Sequence, residues 1–175
     1  MSNITFPILK TKRLLLRKLT VNDAQQIFYL RSDKIVNQFI LRPKQKDYNE
    51  ALTFIKDRNN DIKNGKIFYW VISLKEEDEL IGTICLWNFS ENNSVSEIGY
   101  DLRPEYFNKG IMTEAIKTII DFGFETLNLS SIEAFTHTEN TNSIKLLEGN
   151  KFVFQSKRKD EGFPLNKIFE LKNPN

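Results

Sequence analysis

The stretch RPEYFNKGIMTEA, from Arg103 to Ala115, sets a loop containing Pro104, Asn108 and Gly110 directly before a helix-forming run. Such a junction can hold an anion, because the first N–H groups of a helix lack intrahelical partners and carry a partial positive charge. Asn108 and Gly110 tolerate the left-handed backbone that lets loop amides face a phosphate. A tight connection into a helix fits the same letters, so the loop alone leaves both readings open. No Gly-Lys-Ser/Thr stands at Walker spacing and no G-x-G-x-x-G follows a strand, which removes two common nucleotide loops.

The segment before the loop, SVSEIGYDL (Ser94 to Leu102), reads as a strand with Gly99 inside it, where glycine often marks a bulge or a close backbone approach. Alternation places Glu97, Gly99 and Asp101 on one face and Ile98, Tyr100 and Leu102 on the other. Further on, HTENTNSIKLL sets Asn140 and Ser143 at the start of another helix. An N-cap and a first-turn residue are ordinary uses of these types; their meeting with the glycine loop across two neighbouring parallel strands is less ordinary. His137 is the sole histidine, and no cysteine or acidic cluster offers a metal shell with it, so it reads as a strand-end polar residue and no metal is expected. Trp70, Trp87 and the phenylalanines suit core and groove lining better than base stacking, and Glu133 and Glu139 read as solvated.

These candidates need a frame, and the chain is long enough to build one. It has 175 residues, 40% hydrophobic and 27% charged, which suits one domain over 1–175. The net charge is +2 and dispersed, against the concentrated basic footprint of a nucleic-acid binder; the denser run Ser156 to Lys159 reads as a solvated hairpin tip. The single cysteine, Cys85, excludes an intramolecular disulfide and reads as a buried thiol. The first residues, MSNITFPILKTKRLLLRKL, contain no apolar run long enough for a signal peptide or a span, so a cytoplasmic protein with no membrane partner is expected.

KTKRLLLRKL reads as a strand, and Thr20 with Asp23 as a cap opening a helix with Ala24, Ile27 and Phe28 inward. Asp47 and Glu50 cap a second helix whose Ala51, Leu52, Ile55 and Ile62 recur at helical spacing, and Gly65 ends it. IFYWVIS and LIGTICLWNF flank LKEEDE as a hairpin, and SVSEIGYDL continues the meander. Helix MTEAIKTIIDFGFETLNL then leads to strand SIEAFTH, the short helix NTNSIKLLEGN, and closing strands KFVFQSK and NKIFELK. Strand, helix and strand in succession imply a right-handed crossover and a parallel pair. The expected fold is α/β (α+β): a mixed, mainly antiparallel sheet of about seven strands with a central parallel pair and helices on both faces.

Taken together, LKTKRLLLRKLTVNDA, ELIGTICL, SEIGYDLRPEYFNKGIMTEAI and ENTNSIKLLEGNKF resemble the GCN5-related N-acetyltransferases (GNAT), in particular the branch containing ribosomal-protein N-terminal acetyltransferases. The resemblance implies acetyl-CoA as co-substrate, with its diphosphate on the loop Phe107, Asn108, Lys109, Gly110, Ile111, Met112 and Thr113. It further implies that the strand Ile98, Gly99, Tyr100, Asp101 and Leu102 splays from its parallel neighbour and pairs with pantetheine, that Asn140 holds the pantetheine arm, and that Ser143 lies near the sulfur. Phe107 stands where the wider family has Gln or Arg, Met112 where it has a small residue, and Lys151 where it has a Gly before Phe.

For the acetyl transfer so implied, Glu97 is the expected base, with Ser143 donating to the departing sulfur and a strand amide near Tyr100 to the carbonyl oxygen. An α-amine, with pKa near 8, needs a weaker base than lysine, near 10.4. The acceptor is then a protein N-terminus, such as that of a ribosomal protein, or alternatively a small amine such as an antibiotic or polyamine; a non-catalytic acyl-CoA-binding module is a third reading. A monomer or homodimer is expected.

Overall fold

The computed structural model describes residues 6–174. Its eight strands form one sheet, in the order β1 (Leu9–Lys10), β2 (Leu14–Lys18), β3 (Phe68–Leu74), β4 (Gly82–Trp87), β5 (Val95–Leu102), β6 (Ser131–His137), β8 (Asn166–Lys172), β7 (Val153–Phe154). All neighbours are antiparallel except β5 and β6. The strand expected across KTKRLLLRKL is instead a small hairpin: Thr11 turns the chain by accepting from and donating to Leu14, so β1 folds back on β2.

Helices α1 (Ala24–Ser32) and α2 (Tyr48–Lys63) cover one face, where Leu19, Ala24, Ile27, Leu30, Ala51 and Ile55 pack on Tyr69, Val71 and Leu80. Helices α3 (Ile111–Asp121) and α4 (Thr141–Gly149) cover the other, over a larger core around Trp70, Ile84, Leu86, Ile98, Ile116 and Ile132. The N-terminal caps are as the spacing predicts. Asp23 accepts from the Thr20 amide and hydroxyl, and Asp47 accepts from the amides of Asn49 and Glu50.

Three further expectations are corrected. The helix after Met112 does not run straight to Leu129; at Phe122–Thr126 it widens into a π turn, which seats Phe122 against Phe68 and Trp70 with ring centroids 5.3 Å apart in each case. KFVFQSK contributes only Val153 and Phe154 to the sheet before the chain turns away. Glu133 is not simply solvated: the Arg158 guanidinium folds back from the basic run and donates to both its oxygens, at 2.5 and 3.0 Å.

The end of α4 carries Lys151, one of the three departures noted from the sequence. Lys151 sits in the left-handed region at φ 66°. Its N–H reaches Glu148 O and that of Phe152 reaches Leu147 O, both at 3.0 Å, the hydrogen bonds of a Schellman cap. The chain path that a glycine makes easy is thus kept by a lysine under strain.

Candidate active site

The parallel pair decides where a ligand can sit. β5 and β6 pair only through Val95↔Ser131, Ser96↔Ile132 and Glu97↔Glu133. Beyond Glu97, β5 stays bonded to β4 up to Leu102, and β6 stays bonded to β8 up to His137. The two strands therefore part, and each turns an unpaired backbone edge into the slot between them, where N–H and C=O groups need a partner.

On the α3/α4 side, the slot opens into a groove of about 620 Å³ lined by Tyr100, Leu102, Phe107, Asn108, Gly110 to Thr113, Asn140 and Ser143, among others. Asn108 at φ 57° and Gly110 at φ 70° turn the loop left-handed just before α3 begins. The loop is braced from outside. Glu114, in the first turn of α3, accepts from the Thr11 hydroxyl at 2.5 Å, the Arg13 amide at 2.8 Å and Arg13 Nε at 2.7 Å. The same guanidinium donates to Lys109 O at 2.9 Å. Burial pushes the Glu114 carboxyl up, but the Thr11 and Arg13 hydrogen bonds overcome it and hold the pKa at about 2. Arg13 lies 101 positions from Glu114, and nothing in the letters links them.

Asn140 caps α4, its Oδ1 accepting from Ser143 N at 3.1 Å, and its amide NH2 has no partner among the described residues. The Ser143 hydroxyl meets Tyr100 Oη at 2.8 Å, tying α4 to β5 across the slot. Burial raises the Tyr100 phenol to about 12.

On the α1/α2 side, the slot opens into a second cavity of about 1220 Å³. Glu97, Gly99 and Asp101 line its floor beside Trp87, Cys85 and Thr83, their register partners on β4. Gly99 avoids a tight contact: a Cβ there would stand 3.2 Å from Cys85 Sγ. Cys85 is only partly shielded rather than wholly buried, and burial and then the Asp101 charge raise its thiol to about 12, so it stays protonated. The Asp101 carboxylate is occupied by Thr83 Oγ1 at 2.5 Å and Arg42 at 2.9 Å, which leaves its backbone for the slot.

Glu97 has a different environment. Burial, reinforced by the charges of Asp160 and Glu133, raises its pKa from an ordinary 4.5 to about 7 despite hydrogen bonds with Asn88 and Trp87. Tyr100, Asp101, Asn140 and Ser143 border both cavities, so the groove and the floor carrying Glu97 are two arms of one site. Sequence reasoning missed the roof over their junction. The segment joining α1 to α2 brings Gln38, Phe39 and Ile40 to both cavities, and Phe39 stacks on His137 at 5.5 Å. Among the described residues, no three His, Cys, Asp or Glu side chains converge as a metal shell.

Residues 13–153 match the acetyltransferase (GNAT) domain family. The chain belongs to the GNAT acetyltransferases. Its similarity to an uncharacterized N-acetyltransferase, p20 of Bacillus licheniformis, is 38% identity over 144 residues, 82% of this chain and 81% of that protein. The GNAT fold is shared with the ribosomal-protein-S5-alanine acetyltransferase of Vibrio fischeri (TM-score 0.78, 24% identity, 97% of this chain and 98% of that one). It is also shared with the microcin C7 self-immunity acetyltransferase MccE, solved with acetyl-CoA and AMP (TM-score 0.79, 17% identity, 93% and 94% covered). This GNAT chain is thus an N-acetyltransferase by family, and the mixed sheet with a splayed central pair is the fold it was expected to have. No helix among the described residues is long and apolar enough to cross a membrane.

Proposed function

We propose that this GNAT protein uses acetyl-CoA to acetylate the α-amine at a protein N-terminus, such as that of a ribosomal protein. The observation that carries the reading is the placement of Glu97. It lies where the parallel ladder stops, on the floor of the larger cavity, with its pKa raised to about 7. A base near 7 is matched to an α-amine near 8 and poorly matched to a lysine side chain, whose pKa near 10.4 leaves a much steeper proton transfer.

The smaller groove fits the co-substrate. The left-handed loop at Asn108 and Gly110 directs the amides of Asn108 to Thr113 toward a diphosphate, and the α3 N-terminus adds its partial charge. The open edges of β5 and β6 are a backbone partner for the amides of a pantetheine arm, and the free NH2 of Asn140 is a further donor to it. When bound, acetyl-CoA supplies an activated acyl carbonyl and a thiol leaving group.

This chain's residues then do four things. Backbone N–H groups at the slot edge near Tyr100 donate to the carbonyl oxygen. Glu97 takes a proton from the incoming ammonium, directly or through one water. Ser143 donates its hydroxyl hydrogen toward the sulfur, with Tyr100 Oη behind it. Phe39 and His137 cover the junction and limit water there.

The cavity of about 1220 Å³ exceeds the span of roughly 300–1,000 Å³ typical of small-molecule sites, so it has room for several residues of a peptide. Exposed Leu41, Trp87, Phe163 and Leu165 lie on its rim, where a docked chain would cover them. Release of CoA measured over a panel of N-terminal peptides, lysine-containing peptides with blocked N-termini and small amines tests the reading. Turnover confined to blocked peptides or small amines would overturn it.

A further inference from the structure

The acceptor cavity is lined by more cationic side chains, Arg31, Arg42, Lys44 and Arg58, than carboxylates, Glu97, Asp101 and Asp160. Arg31 from α1, Arg42 from the connecting segment and Arg58 from α2 all line it. Arg42 is paired with Asp101 at 2.9 Å and Arg58 with Asp61 at 2.8 Å. Arg31 has no carboxylate partner among the described residues. Its guanidinium lies 4.1 Å from the centre of the Phe54 ring, and that of Arg58 lies 5.5 Å from the same ring. The Nε–H groups of both Arg31 and Arg58 are shielded and make no hydrogen bond.

Two guanidinium groups on one aromatic ring repel each other, and shielded donors without acceptors are costly. Such an arrangement is stabilised when an anion arrives between them, and arginine binds carboxylates and phosphates through paired donors. Burial, and next the charge of Arg42, lower the Arg31 pKa, the direction expected of a cation without a counter-ion. Asp101, already engaged by Arg42 and Thr83, makes no ion pair with Arg31, and its charge offsets the burial of Arg31 only in part.

We propose that the acceptor carries an anionic group, a carboxylate or a phosphate, and that Arg31, flanked by Arg58, binds it while the acceptor's amine reaches Glu97. The inference rests on Glu97 marking the reacting end of the cavity. For an N-terminal peptide, the anion is an acidic or phosphorylated side chain close to the first residue.

Two matched pairs of amines test it with the full chain. One pair is the peptide amides Ser-Glu-Ala-Ala and Ser-Gln-Ala-Ala; the other is phosphoethanolamine and ethanolamine. Acetylation is followed by CoA release at saturating acetyl-CoA, and binding to the CoA-loaded protein by calorimetry. A charge-assisted contact should give the anionic member of a pair an advantage of about 10- to 100-fold in kcat/KM or affinity. Arg31→Gln keeps the stem on Phe54 and should erase that advantage while leaving the neutral member within about twofold; Arg31→Lys should restore part of it.

An Arg31-dependent preference for phosphoethanolamine, with neither peptide acetylated, keeps the anion site and sinks the N-terminal reading. Acetylation of both peptides at equal rates, with equal affinities in the second pair, keeps the N-terminal reading and overturns the anion site. Equal losses on both members of a pair in Arg31→Gln also overturn it, since packing on Phe54 would then be the residue's role.

Discussion

Replacing Glu97 by Gln should slow the enzyme and stabilise the protein, and both effects follow from one carboxyl. At pH 7 a group with pKa of about 7 is half ionised, and an α-amine of pKa near 8 is roughly one-tenth neutral. Proton transfer from that ammonium to Glu97 is uphill by about one pKa unit, ~1.4 kcal/mol, against more than three units from lysine. Gln keeps the shape and an acceptor oxygen but takes no proton. With an α-amine acceptor, kcat at pH 7 should fall on the order of 10²–10⁴-fold and recover as pH rises past 8, where the amine deprotonates unaided. In the parent enzyme kcat/KM should decline below pH 7 as Glu97 protonates.

The sign for stability runs the other way. Glu97 titrates near 4.5 when unfolded and at about 7 when folded, so the folded state holds its proton more tightly. Below pH 4.5 both states are protonated and the site costs nothing; the cost grows from there to pH 7 and is constant above it. The full shift is equivalent to about 3 kcal/mol, reduced to about 1–2 kcal/mol by the solvent that reaches an open cavity. At this chain length ~1 kcal/mol moves Tm by about 2–4 °C. Scanning calorimetry should therefore show Glu97→Gln melting several degrees above the parent at pH 8 and level with it at pH 4.5. Near-parental turnover at pH 7 with saturating acetyl-CoA and a verified amine, together with no gain in Tm at pH 8, would refute the base assignment and the environment behind it.

Gly110→Val should weaken acetyl-CoA binding severely in calorimetry, because φ 70° is hostile to a β-branched residue and the side chain would crowd the loop amides; Lys109→Ala should weaken it only moderately, and binding by Gly110→Val as tight as the parent's would remove the loop from the site. Asn140→Ala should raise the KM for acetyl-CoA more than it lowers kcat, since the side chain would hold the arm in ground and transition states alike; the lost α4 cap should also cost about 1 kcal/mol in chemical denaturation. Lys151→Gly should raise Tm, because a left-handed non-glycine residue costs about 1–2 kcal/mol, of which the added chain entropy of glycine returns roughly 0.5–1; a lower Tm would show that the lysine side chain is itself a stabilising contact.

Much of the frame was legible because it rests on local rules. Alternation along SVSEIGYDL set Glu97, Gly99 and Asp101 on one face, and the structure keeps them there on the floor of one cavity. Asn108 and Gly110 were readable as the left-handed turn because few other residues accept that backbone. The Thr20/Asp23 and Asp47/Glu50 caps depend on residues three apart, a distance at which letters are informative. The π turn at Phe122–Thr126 was not readable, because its extra residue is set by where Phe122 must land on Phe68 and Trp70, not by the helix's own sequence.

What the sequence determined by itself, then, was the order of the elements, the faces of the strands and the conformation of the loop: properties of neighbours in the chain. The tertiary structure alone decided the point at which β5 leaves β6, the Arg13 brace on Glu114 and the Lys109 carbonyl, and the Tyr100–Ser143 contact across 43 positions. It also decided which carboxyl holds its proton near neutral pH. Glu97 and Asp101 are both acids on the same face of one strand, yet Asp101 is met by Arg42 and Thr83 while Glu97 is shielded and faces the charges of Asp160 and Glu133. A carboxyl's proton affinity is set by the charges and the water around it, and folding delivers those from remote parts of the chain.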